Sequence, residues 1–330
     1  MAQAAANLAS DTQSAAMSGD ASDIQLIEQQ VDSGLSELLE SYTPIRKIED
    51  IPFDTLDERY VIHPDQPLPQ YDSTCATAYA GSDKVLSNRK LLAMVSDPSA
   101  PVRQVTIDAI RGLNHPSLLT LREASNVKLS NTKELRHVVF LDHPPGPPIS
   151  AQLPQLRQMH ERQLLDTVLV PIIDALGAMQ ERGACHGRIN ADNVFFADRA
   201  VLGECVSEPQ GLSQNYFYEP IERLLADPLA KGAATEKSDA YALAILLFDI
   251  LFGLDKYRGL KREEIGQAII ERSSYHSYVA HREVSDIFSD FFRGTLVENK
   301  DERWGVDQLR AWAGGKRFNL IMPSVPKEAS

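Results

Sequence analysis

Cysteine is scarce. The 330 residues hold three (Cys75, Cys185 and Cys205), an odd count with no Cys-x-x-Cys spacing. Neither a disulfide framework nor a cysteine-built zinc site follows, and a reducing cytoplasm is the expected home. Long apolar runs are missing too. The longest, Tyr241–Phe252, has Asp249 inside it and falls well short of the roughly 20 residues of a membrane-spanning helix. Residues 1–21 carry no Lys or Arg and no apolar core, so they do not read as a signal peptide. Positive charge is also short, since 33 Lys and Arg face 46 Asp and Glu for a net charge of −13. Residues 1–60 account for 12 of the acids and only 3 of the bases, against 34 and 30 in the remainder. Such a balance offers no footprint for nucleic acid or an anionic membrane.

What is present has globular proportions, 43% apolar and 24% charged. Residues 1–21 are polar and low in complexity, and the expectation there is a disordered acidic tail. Ser22-Asp23-Ile24-Gln25 has the spacing of a capping box. Ile24, Ile27, Val31, Leu35, Leu38 and Tyr42 then follow at intervals of three and four, one face of an amphipathic helix. Two roles are open to it: docking on its own domain, or serving as a partner or dimer surface. Residues 43–73 read as loop because Pro44, Pro52, Pro64, Pro67 and Pro69 punctuate them. Strands are expected at Lys90–Ser96 and Val138–Asp142, with a helix between them over about Pro101–Leu113. After the proline-rich link HPPGPPIS, helical periodicity marks 153–182, 238–253, 261–272, 284–297 and 305–313.

The most informative segment is 182–196, RGACHGRINADNVFF. It resembles the catalytic loop of protein kinases, H-x-D-x-x-x-x-N, with His186 and Asn193 at the matching separation. Flanking segments agree in order. Leu92-Ala93-Met94-Val95 resembles the strand motif V-A-I-K, and Asn114–Leu119 the link that follows the helix called αC. Tyr218–Glu222 stands in the place of A-P-E, Ser238–Leu243 resembles the start of the central helix, and Asp301–Trp304 the Arg-containing turn before the last helix. The resemblance covers about residues 55–315. It implies an α+β, two-lobed protein-kinase-like fold with a small β-rich N-lobe over about 55–143 and a larger helical C-lobe over about 148–315. An extra N-terminal amphipathic helix and linker (22–54) would precede it. A C-terminal linker (316–330) would follow, which reads as the edge of one module in a longer protein.

The resemblance lacks the chemistry. Arg188 occupies the position of the proton-accepting Asp, and a guanidinium cannot act as a base. Asn190 replaces the loop lysine and Val95 the phosphate-binding lysine, while the αC glutamate falls near Thr106, with Asp108 the closest acid. Thr74–Gly81 takes the place of the glycine-rich loop with a single glycine. Glu204 replaces the metal-binding Asp, so Asn193 and Glu204 are the remnant cofactor positions. By resemblance His186, Asp239, Glu222 and Arg303 are structural, Arg303 pairing with Glu222 or Glu219. Cys185 beside His186 reads as a small buried side chain rather than a nucleophile.

The expected function is that of a pseudokinase, a catalytically inactive scaffold or regulator of a protein partner in the cytoplasm. No cofactor or metal is expected, and no nucleic acid or membrane. Two other readings remain open. One is a weak phosphotransferase using Glu204, Asn193, Mg²⁺ and a relocated lysine such as Lys90. The other is a nucleotide sensor that binds Mg·ATP weakly without turnover.

Overall fold

The computed structural model describes residues 51–318 and 320, apart from 87, 88, 210 and 229. The tail expected over 1–21 and the helix expected over 22–42 lie outside the described residues, as does most of 316–330.

Six antiparallel strands form the main sheet: β1 (Thr55–Leu56), β2 (Tyr60–Pro67), β3 (Ala76–Asp83), β4 (Arg89–Ser96), β5 (Leu121–Lys128) and β6 (Leu135–Asp142). Their order is β1-β2-β3-β4-β6-β5. Both faces of the central strands are buried, which is why β4 (RKLLAMVS) and β6 (LRHVVFLD) carry continuous apolar runs. Strand alternation sends Leu91, Ala93 and Val95 of β4 to one side, with Val138 and Phe140 of β6 and Tyr60 and Ile62 of β2. Leu92, Met94, Val139 and Leu141 face the other way and join the larger core made with the helices. The two sheet edges nearly meet. Phe53 bridges Lys128 in parallel, the Asp54 amide donates to the Lys128 carbonyl at 2.8 Å, and the Ser130 amide donates to Asp54 Oδ1 at 2.8 Å.

The two-lobed expectation is therefore corrected. The class is α+β, but the sheet is a nearly closed six-stranded barrel, and Pro52–Ser330 is one compact unit rather than a small lobe hinged to a large one. The error has a local cause. The prolines of 43–73 predict loop, yet β1 and the whole of β2 lie there and supply the strands that bring the edges together. Pro64 and Pro67 are tolerated because the β2–β3 register shifts between His63 and Pro67, while β1 pairs only with Tyr60 and Val61. The proline half of β2 thus has no outer strand that needs its N–H groups.

Between sheet strands lies α1 (Gln104–Ile110). The periodic stretch 153–182 is not one helix. It divides into α2 (Leu153–Leu156) and α3 (Glu161–Leu164), and α3 runs through a π turn at Leu165–Leu169 into α4 (Val170–Gln180). Pro171 has no N–H to return to the preceding turn, and the wider turn just upstream accommodates its ring. A short hairpin, β7 (Val194–Phe196) and β8 (Ala200–Leu202), follows. The remaining helices are α5 (Ile221–Leu224), α6 (Glu236–Phe252), α7 (Arg262–Arg272), α8 (Ser274–Tyr278), α9 (Asp286–Thr295) and α10 (Val306–Ala313). Thr235 and Ser238 cap α6 reciprocally, and every residue from Ser238 to Ile250 is buried. A helix apolar on all sides must be enclosed, and α2, α9 and α10 enclose this one. Among the described residues no helix is long and apolar enough to cross a membrane.

Candidate functional site

The loop joining α4 to β7 gathers most of the singled-out residues beneath the first turn of α6. Asp239 Oδ2 accepts from the His186 amide at 2.8 Å, and Oδ1 accepts from the Gly187 amide at 2.7 Å. Gly187 has φ +71°, and a Cβ there would stand 2.7 Å from the Ala234 Cβ, so position and space both demand glycine. Burial pushes the Asp239 carboxyl up to about 6, against the pull of those two amides. His186 Nδ1 accepts from the Arg188 amide at 3.2 Å, which places the ring proton on Nε2, 3.3 Å from the Gly203 carbonyl that accepts it. Burial pushes this imidazole down to about 3, so it is neutral and locked between two backbone groups.

Arg188 and Glu204 form a buried ion pair, joined Nη1 to Oε1. The Ser207 hydroxyl donates to the same Oε1 at 2.7 Å, and the Val206 and Ser207 amides donate to Oε2 at 2.9 Å each. Burial alone would raise the Glu204 carboxyl, but Arg188 and the donors from Ser207 and Val206 hold it below the ordinary carboxylate range. Both of its oxygens are thus engaged by the protein. Asn193 is engaged as well, its Nδ2 donating to the Arg188 carbonyl at 2.9 Å and the Glu204 carbonyl at 2.7 Å. Its Oδ1 lies so close to Gly203 that a Cβ there would meet it at 2.1 Å. The two remnant positions are brought together: Asn193 bridges its own loop to the Glu204 backbone, and the Glu204 carboxylate is taken up by Arg188 and by Val206 and Ser207 of its own segment. As a divalent-cation donor set they do not fit, because a ligating carboxylate would first have to give up Arg188.

Other residues fall elsewhere. Asn190 Nδ2 donates to Gln214 Oε1 at 3.0 Å and takes no part in the Glu204 cluster. Val95 faces the barrel interior, so the side chains of β4 on the Glu204 side are Met94 and Ser96. The assignment of Val95 to the phosphate-lysine position is corrected by this alternation. Ser96 Oγ donates to the Ser207 carbonyl at 3.0 Å. Lys90 lies six residues back along β4, about 20 Å from Ser96 at an extended rise, and is exposed. Thr74–Gly81 is largely strand β3 rather than a loop. Arg303 reaches Glu222 in a two-pronged pair at 2.7 and 3.0 Å, while Glu219 pairs with the buried Lys231. The Cys185 thiol, raised to about 12 by burial, is no nucleophile, and both ring nitrogens of His186 are occupied elsewhere.

Two residues that the sequence did not single out tie the neighbouring segments together. Arg103, at the N-terminal boundary of α1, donates to the carbonyls of His186 and Cys205 and to that of Cys185 at 2.8 Å. One guanidinium thereby ties α1 to both the 182–193 loop and the 203–208 segment. Tyr71, from the link between β2 and β3, packs edge-on against Phe195 of β7 with ring centroids 5.6 Å apart, and against His143 at 5.9 Å. Neither has a motif signal; a lone Arg before a helix and a lone Tyr after prolines are common.

No protein-family model matches the chain, and no curated protein matches its sequence. Nothing in those comparisons therefore names a family for it.

Proposed function

We propose that this chain is a non-catalytic, pseudokinase-type module that acts in the cytoplasm by scaffolding or regulating a protein partner. The reading rests on the catalytic-loop-like residues and their local geometry, not on the overall layout. One observation carries it, the buried Arg188–Glu204 pair with its saturated carboxylate. A cation stands where a base would be needed, and that cation already neutralises Glu204, the acid of the facing segment.

The decisive experiment combines two titrations on the full chain. Thermal melts with Mg·ATP at up to 1 mM are expected to leave the midpoint unchanged, since a ligand at a hundred times its dissociation constant adds about 2.7 kcal/mol. Incubation with γ-labelled ATP is expected to give no transfer to the chain or to generic protein substrates. Transfer that vanishes on Asn193→Ala would overturn the proposal, and Mg-dependent stabilisation without transfer would replace it with a nucleotide sensor.

A further inference from the structure

A second site lies away from the Glu204 cluster, on the side of the molecule where the link after α1 meets the β7–β8 turn. It is a cavity of about 370 Å³. Its walls are fixed by the backbone. The Leu119 amide donates to the Leu202 carbonyl at 2.9 Å, the Leu202 amide donates to the Ser117 carbonyl at 2.9 Å, and the Asp142 amide donates to the Thr120 carbonyl at 3.0 Å.

The cavity is rich in donors. Arg122 grips Asp142 with two hydrogen bonds, at 2.7 and 2.6 Å, so the carboxylate is already neutralised when Arg89 adds a third at 2.9 Å. The Arg89 charge is therefore in surplus. Arg199, in the β7–β8 turn, has no side-chain partner among the described residues. His115 Nδ1 accepts from the Ser117 amide at 3.2 Å, which leaves the proton on Nε2. Asn114 uses its oxygen to accept from Thr120 at 3.4 Å and keeps its amide hydrogens. One carboxylate opposes this set: Asp198, beside Arg199 in the same exposed turn. The rest of the lining includes Leu119, Val201 and Pro145, an apolar shelf next to the donors.

We infer that this cavity binds a phosphate monoester carried on a small apolar or aromatic body. Four donor groups from three segments, Arg89 on β4, Asn114 and His115 on the link after α1, and Arg199 in the β7–β8 turn, suit an anion with three terminal oxygens better than a planar carboxylate. Preformed walls keep the ordering cost of binding low. The site is independent of the activity proposed above.

Phenyl phosphate is the probe, titrated into the full chain by calorimetry at low salt. Saturable binding is expected, with benzoate weaker and phenol without effect. Arg199→Gln and Arg89→Gln should each weaken binding about tenfold, a loss of roughly 1.4 kcal/mol. The exposed and distant Arg272→Gln should not change it. Asp198→Asn should tighten it several-fold by removing the opposing charge. Melting curves identify any variant that fails to fold, and the gain on Asp198→Asn cannot arise from misfolding. The inference is overturned by no saturable binding, by binding that survives the Arg89/Arg199 double substitution, or by benzoate binding as tightly as phenyl phosphate.

Discussion

The barrel interior and the loop cluster beneath Asp239 are both largely shut off from water, and they are packed by opposite chemistry. Inside the barrel, Tyr60, Ile62, Leu91, Val95, Val138 and Phe140 meet as apolar surface, and the backbone of β3, β4 and β6 pairs in a continuous ladder. In the loop cluster the chain has no ladder. Its carbonyls and amides are satisfied one at a time by Asp239, Arg103, Asn193, Glu204 and the ring of His186. An apolar core tolerates any residue of suitable volume, whereas a polar cluster of this kind is specific to each donor and acceptor. A polar cluster shut off from water keeps its shape only if its charged groups find partners, and Arg188 with Glu204 is such a case.

The sharpest way to break the comparison is to cut into the barrel. Phe140→Ala removes a fully buried ring that stacks on Tyr60 at 5.4 Å. The expected cost is about 3–5 kcal/mol. Because Pro52–Ser330 is one compact unit, the loss should appear as one lowered cooperative melting transition, with helix and strand signals falling together. Circular dichroism and near-ultraviolet fluorescence melts that separate into two transitions would contradict the single unit.

The loop cluster should respond to single cuts almost as strongly, and to a paired cut less. Arg188→Met leaves Glu204 buried without its cation, and Glu204→Gln leaves Arg188 without its anion; removing one partner of a buried pair costs about 3–5 kcal/mol. The double variant should fall short of the summed costs by about 1–3 kcal/mol, the coupling expected of residues in direct contact. Additive losses in chemical denaturation would mean that the pair contributes nothing beyond its neighbours.

Much of the loop cluster was legible in the sequence, and much of the barrel was not. His186, Asn193, Asp239 and the Arg303 turn stand at spacings set by their own chain neighbours, so a local pattern locates them. The strands β4 and β6 were legible for the same reason, since Leu91–Val95 and Val138–Leu141 are continuous apolar runs. Closure of the sheet was not, because it depends on the pairing of Phe53 with Lys128, some 75 residues apart, and on prolines that a register shift makes harmless. The facing of Val95 needed the register as well: one position along a strand exchanges the barrel interior for the Glu204 side. Arg103 was missed because its partners are carbonyls, and backbone acceptors leave no mark in a sequence.

A subtler contrast is pH. On the barrel side the Arg59 guanidinium holds the Asp83 carboxyl below its ordinary range, and in the loop cluster Glu204 is held low as well. Both give up stability as acid protonates them, while His186 and Asp239 in the cluster are displaced with opposite effects. His186, held at about 3 when folded, is protonated more readily in the unfolded chain, whose ordinary value is about 6.5. The unfolded state therefore binds more protons between those values, and stability falls as pH drops from about 6.5 toward 3. Asp239, held at about 6, works the other way: between about 6 and its ordinary 3.8 the folded state takes up more protons, and stability rises as pH drops. The larger displacement belongs to His186, so the net acid limb should slope downward. His186→Asn, which keeps a side chain able to hydrogen-bond, should flatten that limb between about pH 6.5 and 5, above the range where Glu204 and Asp83 take up protons, seen as denaturation midpoints that change less over this interval than in the parent chain. An unchanged slope would mean that the imidazole is not the group responsible.

The smallest expected effect is kinetic and concerns the thiols. Cys185 and Cys205 belong to the loop cluster, and burial pushes both up to about 12; Cys75, half-buried beside the 208 carboxylate, is raised as well. At pH 8 the two deeper thiols carry on the order of a thousandfold less thiolate than a free cysteine. Alkylation of the native chain with iodoacetamide should therefore modify Cys75 first, Cys185 next and Cys205 last, while unfolding in denaturant should make all three equally fast. The rates at Cys185 and Cys205 also gauge how often the cluster opens, because attack needs both a thiolate and access. Arg188→Met should accelerate Cys205, whose neighbour Glu204 then loses its anchor, and leave Cys75 little changed. Rapid labelling of native Cys185 would show that this loop is open in solution and that its hydrogen bonds to Arg103 and Asp239 do not hold it shut.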